Sequence, residues 1–250
     1  MHPANRLLSL LGLRISRAGS SEIPGDFMRR YEDGYRRVQG NGRGFDSFRQ
    51  LIYEAGDHPS SHIDFQCSFA ASVVASRSPT SILDVGSYRH FVLGLLGHYR
   101  VTTLDVRPRS PATAFETVLT SDAKSIDAGS GQFDLVVSLC AIEHFGLGRY
   151  GDDFDLDGDV TALGEMVRVL RPGGALVVST TITRARPAIA FNAHRIYDQS
   201  MIASIRGGLG LGLEREAFFS HARGAAIPLN EVTAQPGAWD VYCGCWTKQP

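Results

Sequence analysis

The stretch SILDVGSYRHFVLGLLGHYRVTTLDVRP, residues 81–108, decides the fold. Its first part, SILDVG, is an apolar β-type run ending in glycine; HFVLGLLGHY then reads as a helix, and VTTLDVRP as a second strand closed by Pro108. That is one βαβ unit, and the pattern continues downstream. Strands are expected at 115–120 (FETVLT), 133–139 (FDLVVSL) and 175–182 (ALVVSTTI), with a helix at 159–170 (DVTALGEMVRVL) and a turn RPGG at 171–174. In that helix Asp159 is placed to cap the N-terminus, Val160, Leu163, Val167 and Leu170 to form the buried stripe, and Pro172 with Gly173 to end it. Upstream, residues 62–76 put Ile63, Cys67, Ala70, Ala71 and Val74 at helical spacing before an Arg77-Ser78-Pro79 stop. The tail adds a helix near 198–206 and strands near 211–219 and 239–247. Strands alternating with helices predict an α/β fold: a doubly wound, mostly parallel sheet with right-handed crossovers and helices on both faces.

Composition agrees with a globular chain. Of 250 residues 43% are hydrophobic and 20% charged, enough to bury a core and too apolar for a disordered chain. A net charge of -1 gives no global field toward nucleic acid, so a nucleic-acid binder is disfavoured. The 25 basic residues include only two lysines, Lys124 and Lys248, an arginine bias that suggests a GC-rich bacterial genome. Cys67, Cys140, Cys243 and Cys245 form no CxxC pair, which together with the absence of a secretory signal fits a reducing cytoplasm. Cys243 and Cys245 should share one face of the last strand as small buried apolar groups.

No apolar run approaches the roughly 20 residues needed to span a bilayer. Residues 1–19 carry six Leu and Ile with Arg6, Arg14, Arg17 and no acid, a short basic amphipathic helix suited to a membrane surface, a partner enzyme or the face of its own domain. Residues 20–47 read as a linker or substrate-side segment with one short helix. The expected division is therefore 1–60 as an N-terminal segment and 61–250 as the main domain. The oligomeric state is not legible.

In doubly wound sheets, ligands sit beyond the carboxyl ends of the strands near the switch point. The residues there are Asp84, Gly86 and Ser87 after the first strand, Asp105 after the second, Asp122 after the third and Ser138 at the end of the fourth. Glycine lets the backbone approach a ligand, and a carboxylate can accept both hydroxyls of a ribose. The loop reads Gly86-Ser87-Tyr88-Arg89-His90, so the G-x-G-x-x-G of a dinucleotide site and the lysine-bearing loop of a P-loop are both missing.

In this ordered set the chain resembles class I S-adenosylmethionine-dependent methyltransferases over roughly residues 60–220. ILDVGS is similar to their first motif, TTLDVRP to their ribose-binding acid, TSDA to their adenine-side motif and EMVRVLRPGGALVVS to their late helix-turn-strand. The second and third glycines of the usual first motif are replaced by Tyr88 and His90. AIEHFGLGRYGDDFDLDGD and FNAHRIY further resemble a domain-of-unknown-function family of methyltransferase-like proteins associated with surface-glycan genes. The resemblance implies S-adenosylmethionine as cofactor, held by Asp84, Gly86, Ser87, Asp105, Val106, Asp122, Ala123 and Ser138, and a sugar, glycan or small-molecule hydroxyl as acceptor. The rival expectation is a non-catalytic scaffold of the same fold in a glycan-assembly system.

The reacting group is expected past the fourth strand. There His144 is the first candidate for a general base and Glu143 for the acid that orients it, although adjacent side chains on a turn diverge and His144 could equally serve a structural bond. The loop that follows offers Arg149 and Tyr150 toward an acceptor. FNAHRIY adds Asn192, Arg195 and Tyr197 as acceptor contacts and His194 as a second base, or else as a packing cluster. The acids from Asp153 to Asp159 imitate a calcium loop, but its twelfth place is Gly164, so no metal is expected.

Overall fold

Every strand expected from the alternation is present in the computed structural model, which describes residues 23–40, 46–52, 61–149 and 153–249. The chain divides into two compact units, Met1–His58 and Pro59–Pro250. The first contains helix α1 (Gly25–Gly40), longer than the short helix expected, with ion pairs Asp26–Arg30 and Asp33–Arg36 along it. The amphipathic segment 1–19 lies outside the described residues.

The second unit opens with α2 (His62–Arg77), started by a capping box in which the Asp64 amide donates to Ser61 Oγ and the Ser61 amide to the Asp64 carboxylate. Its buried face is Gln66, Phe69, Ala70, Val73 and Val74, while Ala71 is exposed, so the stripe read from the sequence is rotated. The helix carries apolar residues all round, and periodicity alone then leaves the inward face open. Next come β1 (Ile82–Val85), α3 (Arg89–Leu95), β2 (Val101–Asp105), β3 (Glu116–Thr120) and β4 (Phe133–Leu139). After a 3₁₀ turn at Ile142–His144 follow α4 (Gly158–Val169), β5 (Leu170–Thr183), β6 (Ala188–Ala190), β7 (His194–Asp198), α5 (Gln199–Gly208), β8 (Leu211–Ser220), β9 (Ala225–Ile227) and β10 (Asp240–Lys248).

The strand order is β3-β2-β1-β4-β5-β10-β8-β9. The first five are parallel, and β10 is antiparallel to both neighbours. Alternate residues face opposite sides. Leu83, Val85 and Val136 pack with Leu163 and Met166 of α4; Ile82, Leu135 and Val137 pack with Phe69 and Val73 of α2. Helices therefore cover both faces. Cys243 and Cys245 lie together in the α2-side core, burial pushes the Cys245 thiol up to about 11, and the Cys245 Sγ also donates to the Glu214 carboxylate (3.6 Å), so only Cys243 is a purely apolar contact.

Several details differ from expectation. Helix α4 buries Ala162, Leu163, Met166 and Val169, leaving Val160 exposed, and its N-cap is Asp157 without a side-chain cap bond. Asp159 is turned inward instead, where it accepts from the Tyr197 hydroxyl (2.7 Å) and faces Arg195 Nε (3.4 Å). The RPGG segment belongs to β5, which begins at Leu170 and shifts register against β4 between Phe133 and Leu135. The β6–β7 hairpin was not legible: β7 pairs with Ile182 and Thr183 on the edge of β5 that β4 vacates past Leu139, so the hairpin stands over the end of β4.

Edge strand β3 is pinned by Glu116, whose side chain is fully buried. It accepts both nitrogens of Arg89 (2.6 and 2.8 Å), Arg109 (2.6 Å), the Thr103 hydroxyl (2.9 Å) and the Ala112 amide (2.8 Å). Led by Arg89, these donors hold the carboxyl well below its ordinary value of 4.5. A depressed carboxylate stabilises the fold above its unfolded-state value and loses that contribution as pH falls. Glu116→Gln should therefore cost about 2–3 kcal/mol at neutral pH, the arginines being partly solvated. In thermal melts the gap to the parent should shrink below about pH 4; a gap that stays constant down to about pH 3 would show that shape, not charge, fixes this edge.

Candidate active site

The carboxyl ends of β1, β2, β3 and β4 open on one crevice made of two adjoining cavities. One, of about 650 Å³, is lined by Gly86, Asp105, Val106, Asp122, Ala123 and His144. The other, of about 1270 Å³, is lined by His62, Gln66, Asp84, Ser87, Tyr88 and Arg109 among others. Gly86, Asp105, Arg107 and Cys140 border both, at the point where the chain order reverses between β1 and β4.

Gly86 takes φ +72°, and a Cβ there would stand 3.2 Å from Ala141 Cβ; glycine both permits the left-handed turn and leaves the crevice floor open. Ser87 Oγ accepts the Leu139 amide (3.1 Å) and so ties the loop after β1 to the end of β4. Asp84 is buried, and one of its oxygens, Oδ1, has no hydrogen-bond partner among the described residues. Burial raises its carboxyl to about 7, against the opposing bonds from Ser87. Asp105 is held by Arg107, through the backbone amide (2.9 Å), Nε (2.9 Å) and a terminal nitrogen (2.6 Å), which keeps its carboxyl below the ordinary range. Asp122 accepts the Lys124 amide (2.9 Å), and the Lys124 ammonium lies 3.7 Å from both Asp122 and Asp155.

At the end of β4, Cys140 adopts φ +47°, a conformation that costs a non-glycine residue free energy and that clusters at ligand sites and turns. Its amide donates to Ser179 Oγ (2.9 Å), and Ser179 Oγ in turn donates to Gln66 Oε1. His144 Nδ1 lies 2.5 Å from the Ala193 carbonyl, which also accepts from Arg149 (3.2 Å); with the proton on Nδ1, Nε2 is the acceptor nitrogen. Burial, then the Arg149 and His194 charges, lower the imidazole to about 4 despite the Ala193 bond. Glu143 is buried, with one carboxylate oxygen 3.9 Å from Nε2, accepts from the Thr180 hydroxyl (3.2 Å), and burial raises its carboxyl to about 7.

The structure thus gathers Asp84, Gly86, Ser87, Asp105, Val106, Asp122, Ala123 and His144 on one crevice. It does not bring Ser138 there: that side chain is fully buried and donates to the Val85 carbonyl (2.9 Å), stitching β4 to β1. Arg195 and Tyr197 are buried as well. Arg195 donates to the carbonyls of Phe145 (2.6 Å), Leu156 (2.9 Å) and Asp155 (3.2 Å), and Tyr197 to Asp159, so both lock the loop after β4 onto β7 rather than face an acceptor. Asn192 takes φ +62° at the hairpin turn and donates to the Leu147 carbonyl (3.3 Å). Gly146, at φ +74°, closes the same loop at its neck, where a Cβ would overlap the Asp155 carbonyl. Tyr150 lies outside the described residues. Among the described residues no group of three or more His, Cys, Asp or Glu is placed to hold a metal, and no helix is long and apolar enough to cross a membrane.

Sequence reasoning passed over Cys140, Gln66 and Lys124. Gln66 carried no signal in the sequence, because the helix is apolar all round and only the structure shows that the face bearing Gln66 is the buried one.

A family model described as "Caenorhabditis protein of unknown function, DUF268" matches residues 73–236. No curated protein matches the chain in sequence. Among solved structures it is similar to Burkholderia thailandensis 1,6-didemethyltoxoflavin-N1-methyltransferase with bound 1,6-didemethyltoxoflavin and S-adenosylhomocysteine (TM-score 0.57, 13% identity, 95% of this chain and 94% of that one). It is also similar to the N-methyltransferase NodS of Bradyrhizobium japonicum in complex with S-adenosylhomocysteine (TM-score 0.54, 17% identity, 76% and 89%). A third is the [4+2]-cyclase SpnF (TM-score 0.55, 14% identity, 88% and 94%). The shared property is the fold: a Rossmann-like sheet of class I methyltransferase type.

Proposed function

The chain belongs to the DUF268 family, and we propose that it is an S-adenosylmethionine-dependent methyltransferase acting on a hydroxyl of a sugar, glycan or small molecule. The observation that carries this reading is the run of Asp84, Gly86, Asp105 and Asp122 along one crevice at the switch point. The presence of a cyclase on the same fold makes the site, and not the sheet, the basis for it.

The residues suit the cofactor by their own chemistry. Asp84 Oδ1, buried and unpartnered, asks for a donor such as an ammonium, and the bare floor at Gly86 admits a ligand backbone-close. Asp105 would take the ribose hydroxyls once Arg107 yields one of its bonds, and Val106, Asp122 and Ala123 would flank the adenine. When bound, the cofactor supplies a methyl group already activated on a sulfonium. The chain's contribution is then to exclude water, position the acceptor and accept a proton at His144 Nε2.

Calorimetry should show micromolar binding of S-adenosylmethionine and S-adenosylhomocysteine, on the order of -8 kcal/mol. Asp105→Ala should weaken it by at least tenfold through the lost ribose bonds, worth about 1.4 kcal/mol or more. One observation favours the scaffold alternative, the closure of the Arg107 fork over Asp105. Absence of heat and of any thermal shift with millimolar ligand would establish that alternative and overturn the enzyme.

A further inference from the structure

Five rings from separate segments stand in sequence along the carboxyl rim of the sheet. His144 follows β4, His194 opens β7, Trp239 precedes β10, His221 follows β8, and His62 begins α2, whose N-terminus reaches the rim because the helix runs opposite to β1. Centroids are 6.4 Å apart between His144 and His194, 5.4 Å between His194 and Trp239, 4.4 Å between Trp239 and His221, and 4.7 Å between His221 and His62. None is buried: His221 is exposed and the other four are partly so. The run begins at the smaller cavity, which His144 lines, and ends at the larger one, which His62 lines.

Aromatic rings left partly wet in edge-to-face contact present both an apolar surface and a row of ring nitrogens. Partial desolvation holds His62, His194 and His221 below the ordinary histidine value, as it does His144, which favours the uncharged imidazole at neutral pH. Each neutral imidazole offers one N–H donor and one lone-pair acceptor. A hydroxyl carries the same pair of capacities, and a pyranose ring adds an apolar C–H face beside its hydroxyls.

We propose that His62, His194, His221 and Trp239 form, with His144, the acceptor wall of the transfer site, and that the acceptor it selects is an uncharged polyhydroxylated ring. This rests on the methyltransferase reading for its account of the crevice, but binding to the wall is measurable apart from it. Neutral donor–acceptor rings satisfy hydroxyls directly, whereas a carboxylate or ammonium set against them would be desolvated without gaining an opposite charge from the rings themselves. Trp239 is the specificity residue by area, and His62 and His221 are positioning residues at the far end of the row.

Tryptophan fluorescence provides the readout, since Trp246, the other tryptophan, is buried and donates to the Tyr242 hydroxyl. The protein, with and without S-adenosylhomocysteine, is titrated to about 10 mM, where even a millimolar site is mostly filled, with methyl glucoside, methyl galactoside and methyl mannoside, then with methyl glucuronide and glucosamine. At least one neutral glycoside should change the emission, at least tenfold more tightly than the charged sugars. Trp239→Phe should abolish the change, and His221→Ala should weaken neutral binding about tenfold while S-adenosylhomocysteine affinity stays unaltered. No response to any neutral glycoside, or tighter binding of a charged one, overturns the proposal. Glycoside binding without cofactor binding would overturn the methyltransferase reading and leave the wall; cofactor binding without a glycoside response would do the reverse.

Discussion

At pH 8 the Asp84→Asn protein is expected to melt higher than the parent and to bind S-adenosylmethionine at least tenfold more weakly. The two effects share one cause. Asp84 sits at the carboxyl end of β1, buried, with Oδ1 unpartnered, and burial holds its carboxyl at about 7 rather than 3.8. A carboxyl raised in the folded state contributes stability below its unfolded value and loses it as pH rises through the folded one, so the window here runs from about 4 to about 7. At pH 8 the free protein therefore carries a penalty of roughly 4 kcal/mol. Asparagine removes the charge but leaves a buried amide N–H₂ where Oδ1 lacked a partner, which costs about 1–3 kcal/mol. The net gain should be about 1–3 kcal/mol, a rise of several degrees in Tm that disappears near pH 5. The cofactor, by contrast, loses a charge-assisted hydrogen bond. A lower Tm at pH 8, or unchanged affinity, would remove Asp84 from the binding reading.

That residue illustrates what the sequence shows of a site. Asp84, Gly86, Asp105 and Asp122 all lie within two residues of the end of a parallel strand, and strand ends are set by hydrophobic runs that are visible in the chain. Arg195 and Tyr197 misled because a polar cluster after a strand looks the same whether it faces a cavity or the interior. The deciding partners, the carbonyls of Phe145 and Leu156 and the Asp159 carboxylate, lie 38 to 50 residues away, and the pairing rests on the β6–β7 hairpin, whose first strand has only three residues. The helix faces failed for a related reason: in α2 and α4 the inward direction depends on Gln66 and Asp159 finding polar partners inside, which a hydrophobic period does not register. The row of rings was hidden altogether, its members spread from residue 62 to residue 239.

Replacing His144 is expected to reduce the single-turnover methyl-transfer rate by about 10² with cofactor affinity nearly unchanged, because a base acts in the transition state and makes few ground-state contacts with the cofactor. The environment sharpens this expectation. Burial holds the imidazole at about 4, too weak a base to draw a proton effectively from a hydroxyl at neutral pH without help from a neighbouring charge. Glu143 itself, buried and raised to about 7, lies 3.9 Å from Nε2. Opposite unit charges about 4 Å apart attract by about 4 kcal/mol at an effective dielectric of 20, or about three decades of basicity. Ionising Glu143 would therefore raise the basicity of His144, the direction a general base needs. The rate with a neutral glycoside acceptor should rise with pH through about 7, following Glu143. Glu143→Gln should flatten that profile and hold the rate at its low-pH level, while S-adenosylhomocysteine binding is retained. A retained inflection would assign the titration to another group, and an unchanged rate in His144→Ala would leave positioning alone to account for catalysis. Should His194→Ala show the large loss in rate instead, the base is the neighbouring ring 6.4 Å away, and Glu143 serves only to hold the turn.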